Sequence, residues 1–285
     1  MSSSFTTSDG RRLGYRMQGS GPLLVCHPGG PGFSSRYFGD LAGLGESLTL
    51  VCLHPRGTEG SDRPADPRAY TLEDYVADLE ELRLHLGVER IDLLGHSHGG
   101  VVAMVYAAAH SASLDRLVLA STLPRFASEQ ETAMQAAMRE RAGEPWYDDA
   151  QAALEAEQAG AFASDRELAD LALREFPLYF GEYDAEAAAY LETLREETPN
   201  GDALLLFNKE IVGTFDLRSD LALIEAPALV ITGERDFITG PVSAAEIAAG
   251  IPHARKVVIP RAGHFIFVEA RERFRDEVLR FLARP

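Results

Sequence analysis

Residues 90–109, RIDLLGHSHGGVVAMVYAAA, decide how the rest of the chain is read. Residues 91–94 form a short apolar run that reads as a strand, and the Ala- and Val-rich run from Val101 reads as a helix. Between them lies Gly95-His96-Ser97-His98-Gly99, followed by Gly100, so that G-x-S-x-G stands between a strand and a helix. In that setting the serine occupies the apex of a turn so tight that its backbone is strained. Side chains two residues to either side would collide with the strand and the helix, which calls for glycine at both places. The N–H groups that open the helix face the same point and favour negative charge developing there. In a chain with 25 glycines the pattern alone arises easily by chance. The strand before it and the helix after it turn a glycine-rich bend into a candidate nucleophile site.

Working outward, the flanking segments repeat the same alternation. Residues 4–19 read as a hairpin turning at Ser8-Asp9-Gly10. Residues 22–26 and 47–53 are continuous apolar runs suited to strands buried on both faces. The first ends in His27-Pro28-Gly29-Gly30-Pro31-Gly32-Phe33, which can be neither helix nor central strand, and a short helix is expected over 37–44. A helix opens at Thr71, with Asp74 placed to complete a capping box, and ends at Gly87. Residues 116–120 form another strand. Strand and helix alternating through short connections predict a mostly parallel sheet with helices on both faces. From Leu123-Pro124 the chain turns rich in Ala, Glu and aromatic residues, and helices are expected over 128–141, 148–160, 166–174, 185–196 and 201–211. The α/β pattern resumes with strands at 228–232 and 255–259 and helices at 242–251 and 271–283. The expected organisation is a core of 1–122 and 220–285 with a helical cap, 123–219, inserted over the strand ends where such sheets bind ligands.

Bulk properties narrow the function. With 285 residues, 46% hydrophobic and 25% charged, the chain is long enough for one large core and an insertion. No apolar run is long enough for a membrane span, and the first residues lack a hydrophobic signal core, so a cytoplasmic protein is expected. Cys26 and Cys52 lie in apolar runs and read as small buried hydrophobes. The formal net charge of −17 disfavours nucleic acid and anionic membranes as partners. Residues 126–200 hold 18 Asp and Glu against 5 Arg and no Lys, or −13. That reads as solvated helix faces, or as a field favouring cationic substrates. Monomer and homo-oligomer are both compatible with the sequence.

Ser97 needs a base, because an unperturbed hydroxyl is a poor nucleophile. The base, a histidine, needs a carboxylate to fix its tautomer and stabilise the imidazolium. For this type of elbow the chain order is Ser, then Asp or Glu, then His, each just after a strand. Ser97, Asp236 and His264 meet those conditions, whereas Asp216 and Asp220 precede their strand. His96 and His98 are too tied to the elbow to act on Ser97. His98 is expected as pocket wall, His96 as packing or support, and His27 as an organiser of the glycine loop. His54, His85, His110 and His253 are expected to be surface or structural. The oxyanion requires donors: the N–H of His98, and one from the loop, with Gly30 preferred to Gly29 because Pro28 has none.

Assembled, these residues resemble an α/β-hydrolase over essentially the whole chain, and within that superfamily the proline iminopeptidase group. The loop 27–32 is similar to that group's HGGPG, and Arg56-Gly57-Thr58-Glu59-Gly60-Ser61 to its RG-x-G-x-S turn; GHSHGG, GERD and AGH complete the set. The resemblance implies a serine hydrolase with a helical cap and neither metal nor organic cofactor. It implies cleavage of a small ester or amide through an acyl-enzyme, most like removal of an N-terminal aminoacyl or prolyl group. A carboxylesterase or lactonase is the alternative, and a cofactor-free lyase or C–C hydrolase a further one. Two departures stand out: Pro28 is extra within the loop motif, and Phe237 stands after Asp236 where the group often holds an acidic residue for the substrate's ammonium. Glu210 or Glu182 is the expected substitute. Phe33, Trp146, Phe176, Tyr179, Phe180, Phe207 and Phe237 are candidates for an aromatic pocket beside His98.

Overall fold

A computed structural model describes residues 2–283. Among the described residues eight strands form one sheet: β1 Ser2–Thr6, β2 Arg12–Gly19, β3 Leu23–His27, β4 Thr49–Leu53, β5 Ile91–His96, β6 Leu114–Ala120, β7 Ala228–Gly233 and β8 Ala254–Ile259. Their order is β1-β2-β4-β3-β5-β6-β7-β8. β1 pairs antiparallel with β2, and β2 with β4; every later pairing is parallel. The apolar runs explain the order. β5 and β7 are buried at every residue, as strands covered on both faces must be, whereas β8 at the edge is only partly covered.

Helices α1 Leu72–His85 and α2 His98–Ala109 pack on one face, and α8 Gly240–Gly250 joins them. The opposite face is covered by the short α9 Ile266–Glu269, α10 Arg271–Leu282 and a pair of 3₁₀ turns, Ser35–Phe38 and Leu41–Glu46. Between β6 and β7 the chain runs through α3 Ser128–Arg139, α4 Tyr147–Gln158, α5 Asp165–Glu175, α6 Ala185–Thr193 and α7 Gly201–Leu206. α1 starts on the expected capping box: the Asp74 N–H donates to Thr71 Oγ1 (3.2 Å) and the Thr71 N–H to the Asp74 carboxylate (3.0 Å).

Two expectations need correction, and one element went unread. Residues 37–44 are not one helix but two 3₁₀ turns, because Gly39 and the Ala42-Gly43 pair adopt positive φ and break the repeat. The helix expected over 201–211 changes at Leu206 into a π turn, Phe207–Ile211, which carries Phe207 and Asn208 to the wall of the central cavity. α9, four residues long, is too short to announce itself in the sequence.

The loop after β4 is clamped to α1 by one buried cation. Arg56 donates to both carboxylate oxygens of Asp78 (2.7 and 2.8 Å) and to the carbonyls of Ala69 (2.9 Å) and Asp74 (2.7 Å). The Asp74 carboxylate lies 2.8 Å away. Side chains 56 and 78 are 2% and 1% exposed, so each needs the other to remain charged. Arg56→Met should lower stability by ~3 kcal/mol, the low end for breaking such a pair because Arg11 stays near Asp78. Urea denaturation measures this; an unchanged midpoint would show that the clamp contributes nothing.

Candidate active site

Ser97 follows β5 and caps α2 with φ +55° and ψ −125°, a conformation that side chains rarely adopt. The surroundings hold it there. The Ser97 N–H donates to the Ala120 carbonyl (3.0 Å), while its own carbonyl accepts from the Gly100 N–H (2.8 Å) and Thr122 Oγ1 (2.7 Å). A Cβ on Gly95 would lie 2.3 Å from the Gly99 carbonyl oxygen, and one on Gly99 2.3 Å from the carbonyl oxygens of His27 and Pro28. The two glycines that the elbow calls for are therefore required by backbone contact.

The loop after β3 reaches the same point. A Cβ on Gly29 would stand 2.6 Å from Ser97 Cβ and 3.2 Å from its Oγ. The Gly29 N–H donates to the Tyr37 hydroxyl (2.5 Å). His27 Nδ1 donates to the Pro28 carbonyl (2.9 Å) at the start of the loop.

The loops after β7 and β8 bring Asp236 and His264 together. His264 Nδ1 donates to Asp236 Oδ2 (3.0 Å). The N–H groups of Ile238 and Thr239 donate to Asp236 Oδ1, both at 3.1 Å, and the Thr239 hydroxyl donates to Oδ2. Burial by itself would raise the Asp236 carboxyl; His264 and the Thr239 hydrogen bonds outweigh it and hold the group well below the usual carboxylate range. The His264 backbone N–H donates to the Tyr179 carbonyl (2.6 Å), which fixes the imidazole's loop to the segment after α5. Arg141, 8% exposed, bonds the carbonyls of Phe180 (3.2 Å) and Arg235 (2.6 Å) and so ties the segment after α3 to the residue before Asp236.

Ser97, His98, Gly30 and His264 line one cavity of about 390 Å³. Of the residues expected to meet substrate, Phe33, His98, Phe176, Tyr179 and Phe207 lie on its wall; Trp146, Phe180, Glu210 and Phe237 do not. Trp146 packs edge-on against Tyr183. Phe180, 1% exposed, is used up in packing against Phe265 and Tyr190. Phe237, 2% exposed, stands edge-on to Tyr179 in the small core formed by α3 and α4. Glu210 points to solvent near Arg68, and Glu182 is held by Arg235 and Arg261 at the surface.

Three acidic residues that sequence reasoning missed do line the cavity: Glu131, which is exposed, and the buried Glu157 and Glu175. For the buried pair the signal was present. α4 buries Ala150, Ala153, Leu154 and Glu157, and α5 buries Leu168, Ala169, Ala172 and Glu175, so each carboxylate sits on the apolar stripe of its helix. Glu157 accepts from Asn208 Nδ2 (3.0 Å), and burial pushes its pKa up to about 7. Glu175 is 3% exposed; the Tyr179 hydroxyl donates weakly to Oε1 (3.5 Å), and Oε2 has no partner among the described residues. Burial, reinforced by Glu157, raises the Glu175 carboxyl far above its ordinary range. Among the described residues no group of three or more His, Cys, Asp or Glu is arranged to hold a metal ion, and no helix is long and apolar enough to cross a membrane.

Comparison with known proteins shows the family: the chain belongs to the α/β hydrolase fold. Residues 22–270 match the family model of the α/β hydrolase fold. A proline iminopeptidase from Pestalotiopsis fici is 30% identical over 271 residues, covering 93% of this chain and 94% of its own. A proline iminopeptidase from Levilactobacillus brevis is 27% identical over 276 residues, covering 92% and 88%. The crystal structure of a hydrolase from Pseudomonas aeruginosa PA01 superposes with a TM-score of 0.74 at 30% identity, over 99% of this chain and 98% of that one.

The raised Glu157 carboxyl has a consequence for stability. A group whose pKa rises from 4.5 to about 7 on folding favours the folded state only while it keeps its proton, and that contribution is lost as pH climbs through about 7. Denaturation at pH 5 and pH 8 should therefore show the protein weakening over this window, and Glu157→Gln weakening less. An equal loss in the variant would mean that Glu157 does not hold a proton in the folded state.

Proposed function

Because this chain belongs to the α/β-hydrolase fold family and is a hydrolase, we propose that Ser97, His264 and Asp236 form its catalytic triad, cleaving the amide or ester of a small substrate with a free amine. Ser97 attacks the carbonyl while His264 takes its proton; Asp236 holds the imidazole's tautomer and stabilises the imidazolium. The N–H groups of His98 and Gly30 receive the oxyanion, each typically worth about 3 kcal/mol of transition-state stabilisation. His264 returns the proton to the leaving group, and water, activated by the same imidazole, releases the acyl group from Ser97. What supports this reading is that His264, hydrogen-bonded to Asp236, lines the same cavity as a serine held at φ +55°.

The substrate class rests on the buried acids. A carboxylate in an apolar wall with an oxygen unpartnered among the described residues is costly to ionise. An ammonium group beside it would supply the missing partner and return Glu157 and Glu175 to their charged forms. That favours hydrolysis of an N-terminal aminoacyl or prolyl group, as the names of the two relatives suggest. The carboxylesterase or lactonase reading draws support from Phe237, which puts an apolar ring after Asp236. The work is taken to be cytoplasmic, on small molecules or short peptides.

Ser97→Ala should lower kcat roughly 10⁶-fold, by analogy with other triads. Unchanged turnover would end the assignment. A panel of p-nitrophenyl esters and aminoacyl-β-naphthylamides, the prolyl one included, separates the two substrate readings: cleavage of esters alone would reject the amine-bearing substrate. If prolyl amides are cleaved, KM should fall as pH rises through about 7 and Glu157 ionises. Glu175→Gln should raise KM for the prolyl amide and leave that for p-nitrophenyl acetate unchanged; equal effects on both would point to packing instead of charge.

A further inference from the structure

Two loops border Ser97 in the cavity, the glycine loop after β3 and the His264 loop after β8. A line of buried hydrogen bonds joins them. The Gly29 N–H donates to the Tyr37 hydroxyl (2.5 Å). That hydroxyl lies 2.7 Å from His96 Nδ1, and His96 Nε2 lies 3.1 Å from the His264 carbonyl oxygen. Chemistry leaves one arrangement of protons. A carbonyl only accepts, so Nε2 carries the hydrogen. Burial, aided by His264, lowers the His96 imidazole to a pKa of about 3, so the ring is neutral and Nδ1 is bare. The Tyr37 O–H therefore donates to Nδ1, and its oxygen accepts from Gly29. Tyr37 and His96 are 5% and 1% exposed, so no water is needed to complete the line.

The line meets a specific need. Gly29 and Gly30 carry no side chains, and two successive glycines have wide backbone freedom. Gly30 also stands at φ +116°. A donor on such a segment is aimed only if something outside it holds the backbone. Tyr37 is fixed in turn: the Tyr190 hydroxyl of α6 donates to its carbonyl (2.5 Å), and its ring packs on Phe38 and Phe267. His96 is fixed by β5 and by its ring contact with His264, 4.7 Å between centroids.

We propose that Tyr37 and His96 are positioning residues that set the glycine loop and the His264 loop at one fixed spacing across Ser97. This rests on the triad and oxyanion assignment above. The tyrosine aims the loop donor, and the histidine ties that aim to the backbone of the general base. Misplacement by about 1 Å of a group in such a constellation costs on the order of 100-fold in rate.

Three variants test it, read with L-prolyl-β-naphthylamide and p-nitrophenyl acetate as substrates and pyrrolidine-2-boronic acid as a tetrahedral analogue. Tyr37→Phe removes one oxygen and cuts the line at the glycine loop. His96→Asn keeps an amide near Nδ1 and cuts it at the His264 carbonyl; His96→Gln keeps an amide near Nε2 and cuts it at Tyr37. Tyr37→Phe should lower kcat about 10- to 100-fold, leave KM within about twofold, and weaken the boronic acid by the same factor as kcat. His96→Asn should retain more boronic acid affinity than His96→Gln. Near-UV circular dichroism establishes that each variant is folded, and the His96 pair carries the comparison should Tyr37→Phe not fold. Folded variants with wild-type kcat and analogue affinity, or a loss confined to KM, overturn the inference. An active Ser97→Ala would strike the underlying assignment; an inactive Ser97→Ala beside unimpaired Tyr37 and His96 variants overturns this inference alone.

Discussion

The backbone of one residue sets the terms for the rest. Ser97 at φ +55° is held in a conformation that costs of order 1–3 kcal/mol and persists only where the surroundings over-determine it. Here they do so from three strands. β5 delivers the residue, β6 supplies the Ala120 carbonyl that takes its N–H, and β3 brings the carbonyls of His27 and Pro28 against Gly99. The parallel order β3-β5-β6 is what places these strand ends side by side. α2 can then begin immediately, with its first turn opening on the serine. A sheet with another order would leave the strained turn unsupported, and the chain would relax out of it.

Burial pushes the carboxyls of Asp236, Glu157 and Glu175 in the same direction, and hydrogen-bond donors decide the outcome. Asp236 has four donors around two oxygens and remains an anion. Glu175, equally buried, has one long bond from Tyr179, and its carboxyl is raised. The contrast divides the cavity into an end whose charge is satisfied by the protein and an end whose charge is not. His96 and His98 show the same principle for bases: burial lowers both to about 3, so that each imidazole beside Ser97 is neutral. His264 differs from them in facing a carboxylate.

The α/β frame was legible because its signals are local. Continuous apolar runs marked the inner strands, Thr71 and Asp74 marked the start of α1, and glycines at fixed offsets from Ser97 marked the elbow. Asp236 and His264, which the fold brings into contact, stood out in the sequence because each follows a strand, and strands were the reliable part of the reading. The region between β6 and β7 was legible only as helices. Which helix faces reach the cavity depends on how five helices pack, and that is not a local property. Aromatic type was therefore a mixed guide: Phe33, Phe176, Tyr179 and Phe207 line the cavity beside plainer residues such as Leu168 and Val212, while Trp146, Phe180 and Phe237 pack away from it. Glu157 and Glu175 were readable in principle, since a carboxylate on an apolar stripe violates the pattern that forms the helix. The line through His96 was not, because it needs Tyr37, His96 and the His264 carbonyl, three segments joined only by the fold.

The placement of the acids also accounts for Phe237. An anion directly after Asp236 would repel it in a setting of low polarity and raise its pKa, in opposition to the four donors that keep it charged. Phe237 instead closes the loop with an aromatic contact to Tyr179, 5.0 Å between centroids, and the Tyr179 backbone holds His264. The same tyrosine's hydroxyl reaches Glu175. One side chain thus stands between the two electrostatic ends of the cavity, its ring against the Asp236 loop and its hydroxyl toward the cap acids. Moving the negative charge out of the Asp236 loop and onto α4 and α5 separates the two demands. The imidazole keeps an undisturbed anion, and a second anionic site can gain or lose its proton without altering it.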